Sequence, residues 1–382
     1  MKKELSYLIA IVSVLTLYSC ETEIKPNAEN KDITVVYGLL NPNESDHYIK
    51  ITKAFLGEGN ANDLANNPAN FNYSDGELDV RIDEFNANNT FVRSFSLMRT
   101  VNEIPKDNGV FSNTENVLYK FTEPSLKKDY SYKLNIRNKT LDKEITSQTK
   151  IANDPTLTNF NQITKLKLVN SSGSYLNHDF NIRTGANSGK VKVNLIFSYA
   201  NHFTDTAIQP EVKTIKISLG EQKTITTEGG DILVFTLNGA NFYSALTNNI
   251  TANIPNLNYR RINNCVLEVI SAGIDLATYI SVNEPSTSIT QNKPEFTNLT
   301  NALGVFSSRN IKNIYTASSG FNLTNPSIEN LNGFDNDGQI NFDNDTKEKI
   351  LTLGLNFCDP FNTSTYAPRC IDVISNWNTF NP

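Results

Sequence analysis

The sequence predicts a mainly β fold: a β-sandwich followed by a second, antiparallel β-rich domain carrying one or two short helices. Three observations predict it. Apolar and polar residues alternate over short runs, as in Tyr48-Ile49-Lys50-Ile51-Thr52, which is the period of a half-buried strand. Clusters of Asn, Gly, Ser, Thr and Pro separate those runs, and these residues build turns rather than helices. A composition 38% apolar and 19% charged over 382 residues is that of folded material with long polar loops, enough for two or three domains.

Seven runs make up the first domain, residues 33–153. Ile33 to Leu40 opens it, and the turn Asn41-Pro42-Asn43 leads into Tyr48 to Thr52. Leu78 to Ile82, Val92 to Leu97, Val117 to Phe121, Tyr130 to Ile136 and Ile145 to Thr149 complete the set. So many short strands in about 120 residues is the density of a sandwich. Tyr132 follows Leu126 by six positions at the start of a strand. That spacing resembles the tyrosine corner, in which the hydroxyl bonds the backbone just upstream, and makes the sandwich immunoglobulin-like.

Asp154-Pro155 ends this unit, because a residue before Pro is pushed towards extended geometry. In the second domain, residues 154–316, Val191 to Tyr199 and Ile215 to Leu219 alternate cleanly. Ile232 to Leu237 and Cys265 to Ile270 read as strands buried on both faces. Asn241 to Leu246 and Asp275 to Ile280 space their apolar residues as helices do. Residues 317–382 read as an Asn-rich C-terminal segment with one apolar stretch, Ile350 to Leu355, ending in a loop between Cys358 and Cys370.

The amino terminus carries an address. Lys2 and Lys3 precede an apolar run, Leu5 to Leu17, that is too short to cross a hydrocarbon core of about 30 Å and fits a secretory signal peptide, residues 1–19. It ends in Leu17-Tyr18-Ser19-Cys20, which resembles a bacterial lipobox. The thiol of Cys20 takes diacylglycerol, and after cleavage its amine accepts a further acyl chain. At roughly 0.8 kcal/mol per buried methylene, two or three chains hold a protein on a membrane. Residues 20–32, with Glu21, Glu23, Glu29 and Asp32, form an acidic tether. It resembles the surface-export signal of Bacteroidetes-type lipoproteins; a plain solvated linker on the periplasmic side is the alternative. The expected location is the outer membrane, lipid-anchored and facing the cell exterior.

Cysteine usage agrees with an oxidising compartment. Cys358 and Cys370 lie twelve apart in a loop-like stretch, and a disulfide closing it stabilises by roughly 2 to 3 kcal/mol in the chain-entropy model. Cys265 sits in a buried-strand pattern and reads as a small core residue. The chain lacks GxSxG, HExxH, GxxxxGK[ST] and GxGxxG, and its three histidines are isolated, so no enzyme is expected. No cofactor is expected, with calcium the one candidate ligand: Asp335, Asp337 and Asp343 surround Gly338 in an Asp-rich loop resembling half of an EF-hand. Gly333 and Asn344 fall where that loop needs its anchoring carboxylates, so an Asp/Asn turn is the stronger reading.

Three segments carry a family resemblance: Val35 to Pro42 (VVYGLLNP), His47 to Asn60 (HYIKITKAFLGEGN) and Asn301 to Arg309 (NALGVFSSR). With the lipobox they resemble an uncharacterised family of Bacteroidetes-type outer-membrane lipoproteins, classified as a domain of unknown function. Ala302 stands where that family favours Gly. The resemblance implies an immunoglobulin-like N-terminal sandwich and a cell-envelope location, and no reaction.

Partners follow from charge and surface. With 34 basic against 40 acidic residues and a net charge of −6, the chain lacks the basic stripe that nucleic acid requires. The expected function is a non-enzymatic structural or accessory subunit of an outer-membrane export, assembly or uptake complex, bound to a β-barrel or other membrane protein. Twenty-one Phe and fifteen Tyr provide aromatic surface for that contact. The alternative is a surface ligand- or glycan-binding lipoprotein, weakened by the presence of a single tryptophan, Trp377.

Overall fold

The computed structural model describes residues 33–54, 67–106, 115–159, 166–205, 207–284, 295–314 and 342–358. Its first module holds β1 (Ile33–Leu40), β2 (Asp46–Ala54), β3 (Leu78–Phe85), β4 (Phe91–Ser96), β5 (Met98–Val101), β6 (Val117–Thr122), β7 (Ser131–Asn138) and β8 (Lys143–Lys150). Then come β9 (Thr156–Leu157), β10 (Asn177–Arg183), β11 (Ser188–Phe203), β12 (Glu211–Lys223) and β13 (Ile232–Asn238). Helix α1 (Gly239–Asn249), β14 (Leu257–Gly273), α2 (Ile274–Asn283), β15 (Ala302–Ile314) and α3 (Asn344–Leu351) follow.

The first module is the expected sandwich. Strands β1, β2, β6 and β5 lie in one sheet and β4-β3-β7-β8 in the other, an immunoglobulin-like arrangement. Alternation buries Leu78, Val80 and Ile82 of β3 in one core with Val36, Ile49, Ile51, Leu134 and Ile136. The tyrosine corner is present: the Tyr132 hydroxyl accepts from the Lys127 N–H at 2.7 Å and donates to Glu84 Oε1 at 2.9 Å. Glu84 is 1% exposed and is neutralised by Arg93 Nε at 2.7 Å, since an unpaired buried carboxylate would cost several kcal/mol. The short strand β5 extends the seven expected strands; Met98-Arg99-Thr100-Val101 has no alternation long enough to announce it.

Strand β15 joins the two modules. Residues 302–308 pair in parallel with 34–40 of β1, and residues 309–314 pair antiparallel with 267–272 of β14. The result is one eight-stranded sheet, β12-β11-β14-β15-β1-β2-β6-β5. Leu299, Ala302 and Phe306 complete the sandwich core, so the module expected to end at residue 153 takes its last strand from beyond the expected boundary. The sheet is therefore antiparallel except at β1–β15. Gly304 opposes Val36 there with φ +107°, and a Cβ on it would lie 2.0 Å from the Val36 carbonyl oxygen.

Polar groups seal the joint. Asp154 accepts from Asn310 Nδ2 at 2.8 Å and from the Lys128 and Lys312 ammonium groups at 2.7 Å each. Burial alone would raise its pKa, but Asn310, Lys128 and Lys312 hold it down at about 2. Ser308 Oγ donates to the Lys150 carbonyl and accepts from the Ala152 N–H. Helix α2 packs over the seam, its Leu276 N–H bonding Ser307 Oγ, while Tyr279 meets Tyr37 of β1 through a 3.0 Å hydroxyl contact.

The second module packs the sheet β13-β10-β9 against the long strands β11 and β14. Phe180, Ile182, Phe235 and Leu237 share a core with Val193, Leu195, Phe197 and Leu267, joined by Phe242 and Leu246 of α1. Two expectations are corrected here. Strand β13 is buried on one face only, with Ile232 50% and Val234 47% exposed, because it covers the core from one side. Residues 342–358 form part of the fold rather than a polar tail: Phe342, Ile350, Leu351, Leu355 and Phe357 enter the core. Ile350, Leu351 and Leu355 belong to the apolar stretch visible in the sequence, whereas Phe342 and Phe357 stand singly among Asn and Asp.

Candidate functional site

Sheet edges are where a β protein meets other chains, because each presents unpaired N–H and C=O groups. Of the four outer strands of the eight- and four-stranded sheets, β8 and β12 are protected. The edge of β8 is covered by residues 298–300, with the Thr300 N–H bonding the Thr146 carbonyl at 2.9 Å and Ser147 Oγ bonding the Asn298 carbonyl at 2.8 Å. β1 is continued by β15. The far edge, β12, carries Lys213, Lys216 and Lys223, a Gly220 at φ +102° and a register break against Val193 and Asn194, all devices that discourage pairing.

The remaining side is different. β4 and β5 are the terminal strands of the two sandwich sheets, and the chain crosses between them at Leu97. Residues 91–101 contain no Lys, Pro or Gly. Phe91 is 55% exposed, Val92 45%, Met98 74% and Val101 44%. Below them Arg93 is engaged by Glu84 and by Glu123 at 2.9 Å and stacks on Phe95, which stiffens the edge.

The second feature is a groove of about 440 Å³ between β12, β11 and the connection from α1 to β14. Strand register builds it. Glu211, Asn201 and Arg260 are direct partners across β12, β11 and β14, and Lys213 opposes Tyr199 one step along the same face. Arg260 is 1% exposed. Its Nε donates to Asn201 Oδ1 at 2.9 Å, Nη1 to the carbonyls of Leu355 at 2.7 Å and Ala252 at 3.3 Å, and Nη2 to that of Thr251 at 2.6 Å. Asn201 passes on to Glu211 at 3.1 Å, and Glu211 pairs with Lys213 at 2.5 Å. Burial raises the Tyr199 phenol above its ordinary pKa, against the pull of Arg260 and Lys213.

The residues singled out in the sequence are placed as follows. Cys20, Cys370, Asp335 and Asp337 lie outside the described residues. Cys358 is buried and disulfide-bonded, and its N–H bonds the Arg260 carbonyl at 3.0 Å. Asp343 is the N-cap of α3, accepting from the Thr346 N–H at 3.0 Å, with Lys167 3.9 Å away; its carboxylate serves the helix terminus. Among the described residues no group of three or more His, Cys, Asp or Glu side chains is placed to hold a metal ion. Cys265 is a buried core thiol with its pKa raised by burial.

Each histidine rests against an aromatic ring: His47 on Phe121, His178 on Phe180 and His202 on Tyr259. Burial lowers all three pKa values.

No protein-family model matches the chain, and no curated protein matches it.

Neither the open edge nor the groove was singled out by motif reading. A signal for each exists. Val92-Arg93-Ser94-Phe95-Ser96-Leu97-Met98 runs on without a breaker or a lysine. Arg260-Arg261 on one strand must point to opposite faces, so one of the pair turns towards the interior.

Proposed function

We propose that this protein is a non-enzymatic, lipid-anchored outer-membrane lipoprotein, displayed at the cell surface, that acts as an accessory subunit of a membrane-embedded β-barrel complex for export, assembly or uptake. The open β4–β5 edge carries the reading: it takes an extended strand from the partner by β-augmentation, with Phe91, Val92, Met98 and Val101 supplying apolar contacts. The lipobox at Leu17 to Cys20 supplies the location. From Cys20 to Ile33 the chain reaches at most about 45 Å, so the sandwich stays near the bilayer and the strand donor belongs to the same membrane. Among the described residues no helix is long and apolar enough to cross a membrane. The groove over Arg260 favours a second reading, capture of a ligand at the surface.

Affinity-tagged protein extracted from native membranes in mild detergent is expected to bring down one β-barrel protein in stoichiometric yield. The double variant Val92→Lys, Met98→Lys is expected to lose it while keeping its melting temperature, because both side chains are exposed and such changes stay within about 0.5 kcal/mol. Recovery of the wild-type lipoprotein alone, retention of the partner by the variant, or a homodimer dissolved by the same two changes contradicts the proposal.

A further inference from the structure

We propose that the groove between β12, β11 and the α1–β14 connection binds an acidic sugar, with the sugar carboxylate directed at Arg260. The charges around the groove do not balance. Among the described residues, Arg260, Lys213 and Lys216 face two carboxylates, Glu211 and Glu268, which are taken by Lys213 at 2.5 Å and by Lys216 at 2.9 Å. Among the described residues Arg260 bonds neutral acceptors: one Asn oxygen and three backbone carbonyls. A buried guanidinium without a counter-ion is costly, and an incoming carboxylate supplies what the protein leaves out. Among the described residues four of the five guanidinium N–H groups have partners, which leaves one on Nη2 for a ligand oxygen. This local positive excess sits in a chain whose net charge is −6.

The rest of the lining selects a polyol. Asn249, Thr214 and Thr251 present both donors and acceptors, Tyr199 adds a phenol and a ring edge, and Ile215 and Ile254 give small apolar faces. That mixture suits alternating hydroxyls and C–H faces better than a plain organic acid. A volume of about 440 Å³ accommodates a mono- or disaccharide. The groove belongs to the second module and the β4–β5 edge to the first, so the two proposals fail independently.

Titration calorimetry on the full mature chain tests it, with glucuronate, galacturonate and N-acetylneuraminate as ligands and glucose and acetate as controls. At least one acid is expected to bind saturably at sub-millimolar concentration, with glucose and acetate at least about tenfold weaker. Lys213→Gln and Tyr199→Phe are each expected to weaken that binding about tenfold without moving the melting temperature. Tyr199→Phe keeps the buried ring and the Lys213 side chain is 48% exposed, so the fold is preserved. Absence of saturation with all three acids, binding of glucose or acetate as tight as that of the acid, or both variants binding like wild type overturns the proposal.

Discussion

Gly304→Ala is expected to destabilise the protein by about 3–5 kcal/mol, read as a fall of roughly 6–12 °C in the denaturation midpoint. Two effects add. At φ +107° an alanine is strained, which costs of order 1–3 kcal/mol. Its Cβ would also lie 2.0 Å from the Val36 carbonyl oxygen, so β15 must separate from β1. Because residues 302–308 close the sandwich while residues 309–314 continue into the second module, the lesion falls on the one strand that both cores share. The variant is therefore expected to unfold in two steps rather than one. Gly173→Ala is the control: φ is +85° there, with nothing within 4 Å of the added carbon, and about 1 kcal/mol is expected. Equal losses at the two positions would show that backbone strain alone, and not the β1–β15 contact, sets the effect.

Arg260→Met is expected to cost about 3–5 kcal/mol, although methionine fills much of the same volume. The change leaves the buried Leu355 carbonyl and the buried Asn201 amide oxygen without their donor, along with the partly buried Thr251 carbonyl, and each unsatisfied buried group costs about 1–3 kcal/mol. These partners come from the α1–β14 connection, from β11 and from the segment after α3. Arg260 also bonds that last segment through its backbone, accepting from the Cys358 N–H and donating to the Asn356 carbonyl. Loss of the side chain is thus expected to loosen residues 342–358, seen as faster proteolysis there ahead of global unfolding. A midpoint within about 1 kcal/mol of wild type, with unchanged proteolysis, would contradict the clamp.

Much of the fold was legible because it is written locally. Alternation located β1 to its exact ends and most of the long strands, and the six-residue step from Leu126 to Tyr132 located the tyrosine corner. Helical spacing found α1 and α2. Some short local strands escaped, β5 and β10 among them, but the larger omissions are non-local. A parallel partner for β1 requires a long crossover, so Ala302-Leu303-Gly304-Val305-Phe306 gave no sign of the strand it joins. The groove escaped for the same reason: Glu211, Asn201 and Arg260 become neighbours only when three strands are set in register. The open edge is defined by what covers the other edges, including residues 298–300 against β8, and no stretch of sequence states that by itself. Asp343, grouped by composition with the Asp-rich loop, caps a helix.

The anchor decides the account most directly, because a body tied to the bilayer by acyl chains can act on a membrane partner only while it is tied. Cells producing wild-type protein and the Cys20→Ser variant are labelled with radioactive palmitate and fractionated. Label in the wild-type band, none in the variant, and a shift of the variant from the outer-membrane fraction to the soluble one is the predicted result. Equal labelling and equal membrane association of the two proteins would contradict it.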